Sequence, residues 1–365
     1  MHELRKDPLL SRWAVILERS LKPSEYSSFA VLPALPPDAG PEGKNVPCEF
    51  CGERTPSKNK NLFPLIEQGQ NGIRVIKGMP MLTGDGELGR KGEGIYDKMN
   101  PIGMLEIVVE GGEGHHRGKP EEAAGLDSRQ FGAVLDIYLK RFRALIQDPR
   151  IRYVFIFKDR GFFSYPFSFS LAAENAGSNL ALSNKPALSG HPHSGILATA
   201  VIPDYVKREL DGAKHYYEYK ERCIFCDIIN EEKRVGSRVL ADSEHFFAFC
   251  PYAPRVPFEF WIAPKRHSCA FEEIGAQEAE DLSLLLPGLL GKMSRALNAP
   301  AYNYYIHTAP NRIPRRNLWH TLGDDYHWHI EVLPRLQRMS AIDLGAGFHL
   351  ITTSPEDAAK YIREA

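Results

Sequence analysis

The chain has no surplus of charge of either sign. Its 45 Lys and Arg against 46 Asp and Glu leave a formal net charge of −1 over 365 residues. That balance argues against nucleic acid or an anionic membrane as the main partner. Long hydrophobic runs are also missing. The greasiest stretch, LSLLLPGLL, is short and broken by Pro287, so no segment reads as a bilayer span. MHELRKDPLLSRWAVILERS lacks an apolar core followed by a small-residue cleavage site, so it reads as no signal peptide and the expected location is cytoplasmic. Cysteine is scarce, with six in all. In a reducing compartment so few, arranged as they are, read as metal or redox chemistry and not as a disulfide framework.

Four of the six cysteines form two C-x-x-C pairs, Cys48/Cys51 and Cys223/Cys226, while Cys250 and Cys269 stand alone and read as buried small hydrophobes. Each pair opens the same series: C-x-x-C, then a lone or doubled His, then H-x-H. The first series is Cys48/Cys51, His115/His116 and His191-Pro192-His193; the second is Cys223/Cys226, His267 and His327-Trp328-His329. A repeated three-part pattern points to a duplication. The charged, helical connector KRELDGAKHYYEYKER divides the chain into units 1–210 and 211–365.

RWAVILER and IRYVFIFK are β-rich, as are HFFAFC, FEFWIAP, YNYYIH and HWHIEVLP in the second half. Phe131, Val134, Leu135, Tyr138, Phe142 and Leu145 recur at helical spacing, which predicts an amphipathic helix over 128–147. AQEAEDLSLLLPGLLGKMSRAL predicts a helix kinked at Pro287, and SPEDAAKYIREA a C-terminal helix capped by Ser354. LPALPPDAGPEGKN and FFSYPFSFSLAAENAGSNLALSNKP read as loops. The expected class is α+β, with one antiparallel sheet and its helices per half.

Zinc takes four nitrogen or sulfur ligands in a tetrahedron, and C-x-x-C supplies one corner of two thiolates. The first candidate set is Cys48, Cys51, one of His115 and His116 (His115 preferred) and His191. The second is Cys223, Cys226, His267 and His327. A closed set of four is structural. The competing reading, a redox pair opening a helix in a thioredoxin-like unit, suits neither PCEFCGERTP nor RCIFCDIINEE, and the duplication also counts against it.

In a strand, alternate residues face one side, so His191 and His193 point the same way. With His191 on metal, His193 is held close by without coordinating, and a neutral imidazole so fixed is a good nucleophile toward phosphorus. Pro192 stiffens the backbone between them. Ser189, Gly190, Ser194 and Gly195 leave room for a ligand and expose backbone N–H groups to phosphate oxygens. Against this stands the plainer reading of the His pair as a satisfied polar strand.

C-x-x-C, then V-V-E with a following His, then H-P-H-S, resembles the galactose-1-phosphate uridylyltransferase family of the histidine-triad superfamily. HFFAFCPYAPRVPFEFWIAPKRHSCAFEE, YNYYIHTAP, YHWHIEVLPRL and the tail DLGAGFHLITTSPEDAAKYIRE resemble its C-terminal half, and RWAVILERSLKP resembles its N-terminal strand and arginine loop. The resemblance implies two tandem histidine-triad units, commonly as a homodimer. It implies a two-step exchange in which a histidine takes the nucleotide from a nucleoside diphosphate sugar, releases hexose 1-phosphate, and passes the nucleotide to a second hexose 1-phosphate. By matching position, His193 is the nucleophile, Arg19 the phosphate-contacting arginine, and the two Cys2His2 sets are the metal sites. His329 holds the corresponding place in its own half without being the nucleophile.

The sequence departs from that family's pattern around the nucleophile. The glutamine of H-P-H-x-Q is Gly195, FKDRG puts Asp159 where the family has asparagine, and VIKGMPML stands for its N-x-x-P-A-L. An acidic residue near a phosphate is unfavourable unless paired or protonated. Asn175, Ser178 and Asn184 of the following insertion are candidate replacement donors. Three functions follow: hexose-1-phosphate uridylyl transfer; a phosphorylase or hydrolase of nucleotide sugars or dinucleotides; and a zinc-stabilised nucleotide-binding protein without turnover. Retention of H-P-H and Arg19 favours an enzyme.

Overall fold

The computed structural model describes residues 2–26, 65–78, 82–111, 127–160, 192–313, 320–337 and 340–365. The first Cys2His2 candidates, Cys48, Cys51, His115 (or His116) and His191, lie outside these residues, as do Ser189, Asn175, Ser178, Asn184 and the two expected loops.

The strands are β1 (Glu3–Lys6), β2 (Trp13–Ile16), β3 (Leu65–Gln68), β4 (Arg74–Lys77), β5 (Lys91–Glu93), β6 (Tyr96–Lys98), β7 (Gly103–Val109), β8 (Tyr153–Arg160), β9 (His193–Thr199), β10 (Val239–Asp242), β11 (Phe246–Phe249), β12 (Phe260–Pro264), β13 (Tyr302–His307), β14 (His329–Pro334) and β15 (Phe348–Ile351). The helices are α1 (Ser128–Leu145), α2 (Asp204–Lys220), α3 (Ile224–Val235), α4 (Ala276–Ala296), α5 (Leu322–Asp325), α6 (Ala341–Ala346) and α7 (Pro355–Glu364). The expected α+β class is what forms. α1 starts at Asp127, whose carboxylate accepts from the Gln130 N–H at 2.8 Å, and it buries the stripe expected from the spacing. α4 runs through Pro287 as one helix, and Ser354 caps α7 through the Asp357 N–H at 3.2 Å.

Ten strands form one sheet in the order β10-β11-β12-β14-β13-β8-β9-β7-β4-β3. Strands from the two halves of the chain meet edge to edge where β8 pairs antiparallel with β13, from Tyr302↔Arg160 to Ile306↔Ile156. A strand edge that would otherwise be open is therefore paired within the molecule. The pattern of neighbours repeats about this seam: β9 flanks β8 as β14 flanks β13. α1 and α4 cover one face of the sheet with a continuous apolar core, in which Tyr138, Phe142, Leu282, Leu286 and Trp328 are buried. The opposite face is covered in the C-terminal half by α2 and α3, around Leu210, Phe225, Phe247 and Trp261. Cys250 and Cys269 are both buried in these cores.

A separate three-stranded sheet joins the two ends of the chain, with β2 antiparallel to β1 and parallel to β15. No helix among the described residues is long and apolar enough to cross a membrane.

Candidate active site and metal centre

His193 opens β9 and is buried. Strand alternation places His193, Gly195 and Leu197 on one face, and Ser194, Ile196 and Ala198 on the α1 face. Ser194 accordingly turns away from His193: it is fully buried, and its Oγ accepts from the Tyr138 hydroxyl at 2.7 Å. Tyr138 also lies 2.9 Å from the Tyr304 hydroxyl. Its neighbour Glu110 forms a buried ion pair with Lys158. A polar network thus lies directly behind β9, on the side away from the His193 imidazole.

On the imidazole side the free space expected at Gly195 is absent. Phe157 pairs across from Gly195, and a Cβ built at 195 would come within 2.6 Å of Phe157 Cε1 and 3.0 Å of Cε2. Real Cβ atoms do not tolerate such contacts. Phe157 stacks on Phe155 with 5.5 Å between ring centroids, and Phe155 stacks on Tyr305 at the same spacing.

The β8–β9 ladder runs as far as Phe157↔Gly195, and Asp159 and His193 each lie two residues further along their strands, on the same face as Phe157 and Gly195. Asp159 is not a bare charge there. Its Oδ1 accepts from Asn303 Nδ2 at 3.0 Å and is ion-paired with Arg335. The pairing condition that an acidic residue near a phosphate requires is met by side chains of the C-terminal half. Arg19 lies on the segment after β2, exposed, with its guanidinium 2.6 Å from Glu25 Oε1.

The second Cys2His2 set is assembled: one ligand atom each from Cys223, Cys226, His267 and His327 lies within 4.8 Å of the others. Cys223 is the residue before α3 and Cys226 lies in its first turn, so one helix start supplies both thiols. Cys226 Sγ is 3.4 Å from His267 Nδ1 and 3.6 Å from His327 Nδ1. A zinc tetrahedron with Zn–S of about 2.3 Å and Zn–N of about 2.0–2.1 Å has S···N edges of about 3.5 Å. Both Nε2 atoms point at carbonyls, His267 at Gly323 and His327 at Pro264, each at 2.9 Å. Each Nε2–H donates there, which leaves both Nδ1 lone pairs directed at the sulfurs, the tautomer a metal requires. A hydrogen bond from Cys223, then the two rings, hold the Cys226 thiol well below its ordinary range. These residues fit a tetrahedral ion.

A further set, not singled out from the sequence, is Glu209, His307, His329 and Glu331, all buried and likewise within 4.8 Å. His329 donates through Nδ1 to the His327 carbonyl at 3.0 Å, and its Nε2 is buried without a hydrogen-bond partner, as is Glu331 Oε1. Burial opposes the charge on Glu331, but Arg255 and then His307 hold its carboxyl below the usual range. Within the repeat, Glu331 and its cross-strand partner Tyr305 stand where Gly195 and Phe157 stand in the first half. The H-x-H-x-E alternation was the available signal; Glu209 comes from the connector helix α2 and carried none.

No family model matches the chain. It is 29% identical to the ADP-glucose phosphorylase of Arabidopsis thaliana over 367 residues, covering 99% of this chain and 92% of that protein. It is 25% identical to the galactose-1-phosphate uridylyltransferase of Thermotoga maritima over 281 residues, 75% of this chain and 78% of that one. Among solved structures, the Arabidopsis thaliana ADP-glucose phosphorylase with bound ADP-glucose superposes with a TM-score of 0.70 at 26% identity, covering 100% of this chain and 99% of that chain. The paired sheet units and the repeated histidine strands define a histidine-triad protein built of two tandem units. Within that class the chain's homologues, an ADP-glucose phosphorylase and galactose-1-phosphate uridylyltransferases, are similar to it at modest identity.

Proposed function

We propose that this protein transfers a nucleotidyl group from a nucleoside diphosphate sugar by way of a nucleotidyl-histidine at His193, with inorganic phosphate as the acceptor. The observation that carries the reading is the full-length likeness to an ADP-glucose phosphorylase, combined with a buried His193 at the start of β9. An imidazole nitrogen of His193 forms a bond to the α-phosphorus while the bond to the sugar phosphate breaks, and the electron pair leaves on hexose 1-phosphate. A phosphate oxygen then attacks the same phosphorus, the P–N bond breaks, and the pair returns to the ring. Splitting one displacement into two lets a single site serve both phosphates, with ping-pong kinetics. Positioning and hydrogen-bond donors supply the rate.

The second reading is uridylyl transfer between UDP-glucose and hexose 1-phosphate, favoured by the likeness to the Thermotoga maritima protein. Intact mass after mixing with ADP-glucose and with UDP-glucose, for wild type and His193→Ala, separates the two. A nucleotide-sized gain that needs His193 supports covalent transfer, and its mass names the base. Loss of the adduct with formation of the nucleoside diphosphate on adding inorganic phosphate supports the phosphorylase. No adduct from any donor overturns the reading.

Cys223, Cys226, His267 and His327 would hold zinc, which would fix α3 to the segments just after β12 and just before β14 and take no part in the chemistry. Cys48, Cys51, His115 and His191 are proposed as the corresponding first site, and Arg19 as a phosphate contact. The 1–210 and 211–365 units are proposed as the two histidine-triad units. The protein is proposed to be a homodimer, supported by the outward face of the three-stranded sheet, where Leu4, Trp13, Phe348 and Leu350 are exposed beside Ile342 and Leu344 of α6.

A further inference from the structure

The nucleophile strand carries no side-chain donor for the transferring phosphoryl group. Gly195 has none, and the Phe157 ring fills the space one would need. Ser194 faces the other side of the sheet. Among the described residues, the adjoining strands bring polar side chains to the His193 face: Asp159 on β8, Asn303 next to it on β13, and Arg335 just past the end of β14. Paired strands lie about 4.8 Å apart, and Asp159 and His193 lie just beyond the last recorded pair of this ladder, which puts the Asp159 cluster on the side of His193 where a phosphoryl group would sit. Alone, that carboxylate would repel the developing charge.

Arg335 changes the sign of the cluster. Its backbone N–H donates to the Ala301 carbonyl at 2.7 Å, which anchors it to β13. Its guanidinium pairs with Asp159 through Nη2, and Asn303 completes the hold on the same carboxylate oxygen. Its Nε is buried and has no hydrogen-bond partner. A guanidinium presents five donors in a planar fork, and Nη2, held by the Asp159 carboxylate and 3.5 Å from the Arg160 carbonyl, leaves the other nitrogens for a second anion. A buried donor without an acceptor is costly, and a phosphoryl oxygen would satisfy it.

We infer that Arg335, contributed by the C-terminal unit, is the residue that binds the oxygens of the transferring phosphoryl group at His193, with Asp159 and Asn303 as its positioning residues. The two units then share one active site: one provides the nucleophile and the other the positive charge. The substrates are a nucleoside diphosphate sugar and a phosphate acceptor. The bonds made and broken are those of the two-step transfer above, on which this inference rests. Arg335 gains and loses no proton.

The experiment is the single-turnover rate of nucleotidyl-histidine formation from ADP-glucose and UDP-glucose. It compares wild type with Arg335→Gln, Arg335→Lys, Asp159→Asn and the double variant Asp159→Asn/Arg335→Gln, each with thermal melts. The expected result for Arg335→Gln is a loss of about a hundred- to a thousandfold in that rate, the scale seen when one oxyanion donor is removed. Arg335→Lys should recover part of it, and millimolar guanidinium should partly rescue Arg335→Gln, which a purely structural role would not allow. The double variant should stay impaired. If it returns to the wild-type rate, Arg335 only neutralises Asp159 and the inference is overturned. It is also overturned if folded Arg335→Gln reacts within threefold of wild type. If wild type itself forms no adduct, the transfer reading fails, and this inference with it.

Discussion

The ring of Phe157 occupies the space that a side chain at position 195 would need, because the two residues face each other across the β8–β9 ladder. The glutamine missing after the H-P-H motif is therefore excluded by packing as well as by sequence. Gly195→Gln should cost about 1–3 kcal/mol of stability, the usual penalty for overpacking, and should not raise the rate of adduct formation. Gly195→Gln with Phe157→Ala should regain stability relative to the single Gly195 variant. Urea midpoints for the three proteins test this, and full stability of the single variant would count against the packing account.

Behind the same strand, Lys158 and Glu110 form an ion pair that is nearly closed to solvent. Breaking one partner of a buried pair leaves an uncompensated charge and costs about 3–5 kcal/mol, whereas replacing both by apolar side chains can be neutral. Lys158→Met should lower the unfolding free energy by that amount. Lys158→Met/Glu110→Leu should recover most of it. Equal losses in the single and double variants would show that a stranded Glu110 charge is not what destabilises Lys158→Met.

Much of this architecture was readable in the residues. The aromatic and β-branched runs around Phe155, Phe247, Trp261 and Tyr304 became strands, and the stripe from Phe131 to Leu145 became the buried face of α1. The second metal corner was legible because C-x-x-C, His and H-x-H are local signals that the fold only has to gather. Strand alternation sets Ser194 on the side of β9 away from His193. What could not be read was register between distant strands. That Phe157 meets Gly195 follows from the β8–β9 ladder, that Arg335 reaches Asp159 from the seam between β8 and β13, and that Glu209 joins His307 and His329 from where α2 meets β13 and β14. Such pairings are fixed by the hydrophobic pattern of the whole sheet, one residue of slip being enough to exchange its faces.

The Cys223, Cys226, His267 and His327 set predicts tight zinc and a stability that depends on it. Elemental analysis of this site, by comparing wild type with Cys226→Ser, should show the loss of one zinc per chain. Zinc withdrawal by a strong chelator should lower the melting temperature of wild type, and less so that of the variant. Metal binding requires deprotonated thiols, so the zinc should be released as the solution is acidified. An unchanged zinc content in Cys226→Ser would remove the site.

The exposed apolar face of the three-stranded sheet predicts self-association. Phe348 and Leu350 alternate outward on β15, across from Trp13 and Val15 of β2. Apolar side chains of this kind on one flat face are typical of an interface covered in solution. Light scattering on the wild type should give the mass of a dimer, and Phe348→Glu/Leu350→Lys should give that of a monomer. A monomeric wild type would show that the face is covered by something else or by nothing.

Glu356, in the first turn of α7, ties the termini of the chain together. Its carboxylate accepts from Arg5 of β1 at 2.9 Å and from Arg238 at 2.8 Å. Burial pushes its pKa up, but the hydrogen bonds from Arg5 and then Arg238 outweigh burial and hold it below the usual range. A carboxylate with a folded pKa below its unfolded one binds fewer protons when folded. Its contribution is therefore complete above the unfolded value of about 4.3 and is lost as pH falls through the folded value. Glu356→Gln should cost about 1–3 kcal/mol at pH 7, since both guanidiniums lose a charged partner. The gap between wild type and variant should then narrow as the pH drops below about 4.3. Unfolding midpoints at several pH values measure that gap. A gap that stays constant from pH 7 to pH 3 would mean that the loss is one of packing, and that the ion pairs of Glu356 carry no pH-dependent stability.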